Sequence, residues 1–175
     1  GYGIYLSLRI FKIPDITTDG SYTTGGVITA ICLSSGVHPV LTVILAMLSG
    51  ALAGACSGII HTRLKVNPLL AGILVMTALY SINLLLLGRP NLPLLDVSSI
   101  FTMLPGGSAL AKTIISLAIC TILVFLLLYY LLRTDYGIAM RATGNNETMV
   151  KAMGVNVSSM KITGLALANG LTALS

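Results

Sequence analysis

Charge is scarce in this chain of 175 residues. Only 9% of the residues are charged and 55% are hydrophobic, whereas a soluble domain carries about a quarter charged residues. The few charges form no paired-carboxylate motif, no HExxH motif and no Ser-His-Asp arrangement, and there is no GxxxxGK[ST] loop to hold nucleotide phosphates. The composition therefore predicts an integral membrane protein without a catalytic site of its own.

Cysteine is equally sparse. Cys32, Cys56 and Cys120 all fall in apolar segments, without a CxxC pair or a nearby histidine cluster, so the sequence predicts neither a metal site nor a disulfide framework. The formal net charge is +5 and tryptophan is absent. Because the basic residues are spread over short loops and are not interleaved with aromatics, we expect no nucleic-acid partner. Their distribution is better explained by orientation in a lipid membrane.

Long apolar runs define the predicted fold class, an all-α polytopic transmembrane bundle of about five to six segments. The clear spans are residues 39–60, 67–87 and 112–132, residues 1–11 are interpreted as the end of an earlier helix, and another helix begins at Ile162. Residues 21–37 are less apolar, and glycines at 20, 25 and 26 are expected to interrupt a long helix there. This second helix is predicted to be short, tilted, broken or re-entrant.

The ends of the chain lie inside apolar runs. We therefore interpret residues 1–175 as a single transmembrane domain that is a fragment of a longer protein, truncated at both ends. The connection from Gly88 to Ala111 contains three prolines and a glycine pair, which predicts a structured loop or a short interfacial helix outside the membrane core.

The positive-inside rule gives the expected orientation. Residues 61–66 contain two Lys or Arg residues and residues 133–161 contain four, so both loops are predicted to be cytoplasmic. Two spans separate them, as this orientation requires. A helix at 21–37 that crosses would also place Arg9 and Lys12 inside the cell, whereas a re-entrant helix would not, and we favour crossing.

Small and polar residues inside the apolar segments are candidates for packing or for a solute pathway. Gly50, Gly54 and Gly58 recur every four residues, which favours close helix packing within one subunit, with homodimerisation as the alternative. Asn83 either lines a pathway or bonds a neighbouring helix. The other candidate pathway residues lie on or near the broken backbone of residues 12–26, where a solvated loop is the alternative: Asp15, Asp19 and Thr23.

The stretch from Arg133 to Lys161, called here the basic segment, is a polar interruption between apolar segments. Within it, Asn145 is predicted to cap a helix of two to three turns, with Glu147 at its start, Lys151 four residues later and Gly154 as its stop. Met149, Ala152 and Met153 would share its apolar face. An adaptable methionine face suits docking into a cleft on a partner, and the alternative is an ordinary loop.

Three stretches together resemble one family. The G-x-x-x-R-A pattern of Gly137 to Ala142, followed by Lys151-Ala152-Met153-Gly154-Val155-Asn156, is similar to the cytoplasmic loop of bacterial ABC importer permeases of the branched-chain amino acid and ribose type. RIFKIPDITTDGSYTTGG at residues 9–26 resembles that family's turn after the first helix, and residues 63–72 resemble its inside loop. The IPD-T-DGS version is most like a subgroup whose substrates are largely unassigned.

The resemblance implies that residues 143–155 form the coupling helix, which docks in a groove of a cytoplasmic ATPase subunit. Met149 and Met153 would face the groove, and five residues match the motif: Gly144, Asn145, Glu147, Lys151 and Gly154. The implied assembly contains a second permease subunit, identical or different, two ATPase subunits that bind ATP and Mg²⁺, and an extracytoplasmic binding protein received by residues 88–107. This chain would need no cofactor.

The function expected from this resemblance is solute import across the bacterial plasma membrane, with amino acids or related small solutes as substrates. The alternative is an ion-coupled secondary transporter or a channel. Such a protein carries energy-coupling charges inside the membrane, and the three clear spans contain none apart from Lys112 at an edge.

Overall fold

The computed structural model describes residues 1–88 and 109–175. These residues form eight α-helices and one π-helical turn, without a strand among them. In chain order, the helices are α1 (Tyr2–Tyr5, continued by the π-helical turn Leu6–Ile10), α2 (Thr17–Ser34), α3 (Pro39–Arg63), α4 (Pro68–Leu87), α5 (Ala109–Arg133), α6 (Asp135–Asn145), α7 (Glu147–Ala152) and α8 (Val157–Ala173). The predicted all-α class is confirmed.

The three predicted clear spans correspond to α3, α4 and α5, which are long and apolar enough to cross a membrane. Proline occupies the first turn of both α3 and α4, where its missing N–H group costs no helical hydrogen bond. Asn67 caps α4 by accepting a hydrogen bond from the Leu69 amide at 3.0 Å, and Gly88 ends it in the left-handed region. The predicted connection at 88–111 lies mostly outside the described residues.

Helix α2 corrects the expectation of a broken second segment. It is continuous from Thr17 to Ser34, through all three glycines. Gly20 lies against Met76 of α4, and Gly25 lies so close to the Ala173 backbone of α8 that a methyl group would overlap it. These two glycines therefore allow neighbouring helices to approach, and the contacts compensate for their low helix propensity.

Helix α8 lies at the centre of the bundle and packs against α1, α2 and α3. The glycines at 50, 54 and 58 all face α8, where Cβ atoms would collide with its backbone or side chains. This face of α3 is thus occupied by a helix of the same chain. On the other side of α8, Leu165 and Ala168 are fully buried with Leu6 and Met140 in the apolar core.

Both basic loops lie at the same end of the bundle. A cleft of about 290 Å³ is lined by residues from each, including His61, Lys65, Lys151 and Lys161. Lys12 belongs to this end too, because its ammonium group donates to the Asn145 side chain at 3.0 Å. We call it the basic end.

Helix α2 leads away from the basic end, parallel to α4 and α8 and antiparallel to α3. Its first turn meets Gly72 near the start of α4, and Thr24 meets Asn83 near the end of α4. At about 1.5 Å per residue its 18 residues span about 27 Å. Helix α2 therefore runs from the basic end towards the opposite end of the bundle without turning back.

Candidate functional site

Five polar side chains meet where α2 begins, between α3 and α8. We call this cluster the polar junction: Asp15, Thr17, Ser21, Ser57 and Asn169. Four of them are at most 2% exposed, and Asp15 is partly buried. Buried polar groups at membrane depth are costly unless they are hydrogen-bonded, so their partners decide what the cluster does.

Asn169 is the centre of the polar junction. Its amide nitrogen donates to Oδ2 of Asp15 at 2.7 Å and to the Leu165 carbonyl at 3.0 Å, and its side-chain oxygen accepts from the Ser21 hydroxyl at 2.6 Å. The other carboxylate oxygen of Asp15 accepts from the Thr17 amide at 2.9 Å. These bonds tie α8 to the start of α2 and satisfy every hydrogen-bonding group of the Asn169 side chain.

A second bond connects the polar junction to α3, because the Thr17 hydroxyl donates to Ser57 Oγ at 3.0 Å. The sequence analysis identified Asp15 but not Asn169 or Ser57. Asn169 is the one amide side chain in the last predicted helix, and this was the available indication of its role.

The four predicted pathway residues separate into two environments. Asp15 is held in the polar junction, and Asn83 is 6% exposed, with its amide nitrogen donating to the hydroxyl of Thr24 at 3.1 Å and of Thr23 at 3.4 Å. Asp19 and Thr23 are exposed on the outer face of α2. The structure therefore does not gather the four residues into one cluster.

The basic segment folds into α6, α7 and the first turn of α8, and it corrects the predicted capping. Asn145 is the last residue of α6, and Asn146 is the cap of α7, accepting from the Met149 amide at 3.1 Å. Helix α7 has six residues, which is less than two turns. It ends before Gly154, whose φ of +84° is readily adopted only by glycine. A helix over 135–145 was not predicted.

Glu147 pairs with Lys161 of α8 rather than with Lys151. The i, i+4 spacing of Glu147 and Lys151 would favour an ion pair within α7, but the observed ion pair joins two helices instead. The Lys161 side chain is 13% exposed and Glu147 is 48% exposed. Because α8 begins at Val157, five residues before the expected start, Lys161 lies within its first turns and can reach Glu147.

Helix α7 presents its methionines outwards. Met149 and Met153 are 62% and 71% exposed, and Ala152 is exposed as well. Val150 is the residue that α7 buries against the rest of the chain. The predicted apolar face therefore exists but contacts no other part of the described chain closely enough to bury it.

The basic segment also contacts the turn between α1 and α2. Gly144 lies so close to the Ile10 carbonyl that a methyl group would overlap it, and Lys12 donates to Asn145 in the same region. Lys12 itself has a positive φ of 54°, an uncommon conformation for a lysine. The α1–α2 turn therefore packs against the end of α6, directly before α7.

The described residues contain no group of three or more histidine, cysteine, aspartate or glutamate side chains that could hold a metal ion. The arrangement has the chemistry of helix packing, polar cross-links and an exposed apolar face.

The comparisons with known proteins address which family has this arrangement. A model of the family described as branched-chain amino acid transport system / permease component matches residues 1–175. The chain belongs to this family. The resemblance in the loop motifs is thereby confirmed over the whole chain.

Three relatives illustrate the range of the family. The tyrosine transport system permease protein of Clostridioides difficile is 40% identical over 99% of this chain and 57% of its own length. An uncharacterized protein of Rickettsia prowazekii is 31% identical over 99% of this chain and 60% of its own length. The ribose import permease protein of Haemophilus influenzae is 29% identical over 92% of this chain and 50% of its own length.

The chain thus spans between half and three-fifths of the length of these curated relatives. No solved structure matches it.

Proposed function

We propose that the chain is part of a membrane-spanning permease subunit of an ATP-binding-cassette importer. Family membership over residues 1–175 is the observation that carries this proposal. The three helices able to cross a membrane and the exposed methionine face of α7 are what such a subunit needs. ATP and Mg²⁺ would bind to a separate ATPase subunit, so this chain acts in transport and not in catalysis.

Helix α7 would be the coupling helix, docking in a cleft of the ATPase subunit. Met149 and Met153 would enter the cleft. The residues that match the family's coupling-helix motif are Gly144, Asn145, Glu147, Lys151 and Gly154. Methionine suits such a contact because its long, unbranched side chain adapts to irregular apolar surfaces. A short helix that is capped by Asn146 and followed by Gly154 would move as a rigid body when the ATPase subunits close.

Two contacts would transmit that movement into the membrane. The Glu147–Lys161 pair joins α7 to α8, and Asn169 of α8 bonds Asp15 at the start of α2. The bond from Lys12 to Asn145 gives α7 a second, direct connection to the α1–α2 turn. Tilting α8 and α2 together would alternate access to the two membrane sides.

The remaining parts of the assembly follow from the same proposal. A second permease subunit, identical or different, completes the pathway, an extracytoplasmic binding protein delivers the solute, and membrane lipid surrounds the apolar faces. The bacterial plasma membrane is the expected location. The relatives' names mention tyrosine and ribose, and the higher identity to the tyrosine permease favours amino acids or related small solutes.

The alternative, an ion-coupled secondary transporter or a channel, has less support. Helices α3, α4 and α5 contain no acidic residue, whereas an ion relay requires titratable groups inside the membrane.

Cross-linking tests the proposal. In the full-length protein purified from its native membrane, a Met149→Cys variant is expected to cross-link to a co-purifying ATPase subunit. Leu52→Cys serves as the matched control, because Leu52 is equally exposed but lies on the apolar outer face of α3. Failure of any ATPase subunit to co-purify, or cross-linking from Leu52→Cys alone, would contradict the proposal.

A further inference from the structure

The cleft at the basic end carries an excess of positive charge. Lys65 from the α3–α4 loop, Lys151 from α7 and Lys161 from α8 all line it, and Glu147 is the one acidic residue in its wall. Its volume of about 290 Å³ is several times the roughly 30 Å³ that a water molecule occupies. The cleft therefore has room for a small polyatomic group together with ordered water.

Glu147 does not neutralise the cleft. Its carboxylate pairs with Lys161, and this is the one ion pair among the described residues. Lys65 and Lys151 consequently have no carboxylate partner in the part of the chain that the structure describes. Two positive charges facing the same space repel each other, and an anion between them would stabilise both.

The start of α8 contributes hydrogen-bond donors to the same cleft. Ser158 lies in the first turn of α8 and lines the cleft. The cap residue, Asn156, accepts from the Ser159 amide at 3.2 Å, whereas neither the amide nor the hydroxyl of Ser158 has a hydrogen-bond partner among the described residues. Free N–H groups and the helix dipole both favour an anion at this position.

The loop that carries Lys65 has an unusual conformation. Lys65 has a positive φ of 54°, which a lysine rarely adopts. The loop is held by a bond between Nδ1 of His61 and the Val66 carbonyl at 2.9 Å, in which Nδ1 donates because a carbonyl can only accept. Residues in rare backbone conformations occur preferentially at ligand-binding sites, so this strain is a second indication of a site.

The surroundings of the cleft favour a lipid headgroup as the source of the anion. Leu64 and Ile59 are 69% and 42% exposed and continue the apolar outer face of α3 up to the loop. Arg63 lies in a neighbouring cleft of about 440 Å³ that shares Ser158 with the first. Positive charges at the end of an apolar helix face match an anionic phospholipid, whose acyl chains contact the helix while its phosphate reaches the charges.

We propose that the cleft at the basic end binds a phosphate group, supplied by an anionic phospholipid. Lys65 and Lys151 neutralise the phosphate, and the amide and hydroxyl of Ser158 donate to its oxygens. A bound phosphate links the α3–α4 loop, α7 and the start of α8. The site is separate from the transport function proposed above, because binding requires neither a solute nor ATP.

The test measures lipid binding to the full-length protein, purified in detergent with whatever subunits accompany it. Native mass spectrometry follows titration with phosphatidylglycerol and with phosphatidylcholine, whose choline cation the lysines repel. We expect preferential binding of phosphatidylglycerol, weakened about fivefold by Lys65→Gln and restored by Lys65→Arg. Lack of a preference for the anionic lipid overturns the lipid source.

Ser158→Asp tests the site without weakening the fold. A carboxylate in the first turn stabilises a helix but repels a phosphate, so we expect an unchanged or higher melting temperature together with at least fivefold weaker binding of phosphatidylglycerol. Unchanged lipid binding in both Ser158→Asp and Lys65→Gln would show that the phosphate lies elsewhere and would overturn the proposal.

Arg141→Gln is the matched control, because Arg141 is an exposed cation of the basic segment that does not line the cleft. Its removal should weaken binding less than twofold, since salt screens charges outside the site. Equal weakening by Arg141→Gln and Lys65→Gln would indicate a diffuse surface charge and reject a defined site.

Inorganic phosphate is the probe for the other source of the same group. If it raises the melting temperature of the delipidated protein, does so only when Lys65 is present, and phosphatidylglycerol does not bind, the site takes free phosphate and the lipid source is rejected. Absence of both effects overturns the proposal. Neither result depends on ATP-driven uptake, so the importer proposal stands or falls separately.

Discussion

Glycine has two distinct uses at the residue scale in this protein. Gly54 lies on the face of α3 that packs against α8, where a Cβ would collide with the Leu165 carbonyl and with the Asn169 side chain. Gly26 on α2 has nothing within 4 Å of its missing Cβ. Both occupy helices, so both have the same backbone entropy cost, and only their surroundings differ.

The same substitution at these two positions is therefore expected to have opposite effects. Gly54→Ala should lower the free energy of unfolding by about 1–3 kcal/mol, because the added methyl group forces α8 away from α3. Gly26→Ala should leave it unchanged or raise it by up to about 1 kcal/mol through the better helix propensity of alanine. Thermal unfolding of the purified full-length variants in detergent measures both. Equal melting temperatures would contradict the close α3–α8 packing.

Helix α7 is the informative case at the element scale. Six residues are too few to form a stable helix alone, so its structure depends on its flanks. Asn146 caps its start, Gly154 permits the reversal after its end, and Glu147 joins it to Lys161. The exposed methionines contribute nothing to this stability, which leaves them available to a partner.

The Glu147–Lys161 pair should matter for coupling more than for folding. Glu147→Lys and Lys161→Glu are each expected to lower ATP-coupled uptake several-fold, because either places like charges where α7 meets α8. The double exchange should restore a substantial part of the ATP-coupled uptake. Because Glu147 is half-exposed, the coupling free energy between the two positions should be about 1 kcal/mol or less. Uptake by the unchanged protein, the two single variants and the double exchange completes this double-mutant cycle, and membrane insertion of each protein is the control.

Exchange of Lys151 provides the comparison for this cycle. Lys151 lies four residues after Glu147 but does not pair with it in the structure. The double exchange of Glu147 and Lys161 should therefore still restore uptake when Lys151→Glu is also present. Recovery that depends on Lys151 would contradict the α7–α8 connection.

The sequence predicts the elements that depend on local chemistry. The three clear spans and the break at Gly154 need only apolar length and a residue tolerant of positive φ, and both are present. The prediction of a broken helix is wrong at Gly20 and Gly25. A glycine that interrupts a helix and a glycine that allows a neighbouring helix to pack closely cannot be distinguished from the sequence alone. Glu147 illustrates the same limit, since its partner lies 14 residues away rather than four.

The polar junction could not be predicted either. Asp15 was visible as a charge near a membrane segment, but its partner Asn169 lies 154 residues further along the chain. No local pattern connects the two, and only the packing of α8 between α2 and α3 brings them together. The hydrogen bond between Asp15 and Asn169 therefore depends on tertiary packing, which the sequence alone does not reveal.

At the scale of the whole molecule, the basic loops lie together at one end of the helix bundle. His61 and Lys65 after α3, Lys12 before α2 and the basic segment lie together there. The turn between α2 and α3, around Ser35, lies at the opposite end. From the positive-inside rule we expect the basic end to face the cytoplasm.

Side-selective labelling tests this orientation. In a cysteine-free full-length background, Lys65→Cys and Met153→Cys are expected to react with an impermeant thiol reagent only in inside-out vesicles. Ser35→Cys should react only in right-side-out vesicles, because α2 leads from one end of the bundle to the other. Labelling of Ser35→Cys and Lys65→Cys from the same side would show that α2 is re-entrant and would remove the assigned topology.

The central position of α8 has a consequence for biogenesis. During synthesis, α1 to α5 leave the ribosome before α8 exists, so the surface that α8 covers on α3 stays open through the translation of more than a hundred residues. Asp15 and Ser21 meanwhile lack Asn169, their shared partner from 148 or more residues downstream. A nascent chain arrested before α8 therefore leaves Oδ2 of Asp15 without the Asn169 amide that bonds it, and it leaves the glycine face of α3 uncovered. Completion of α8 supplies both missing contacts.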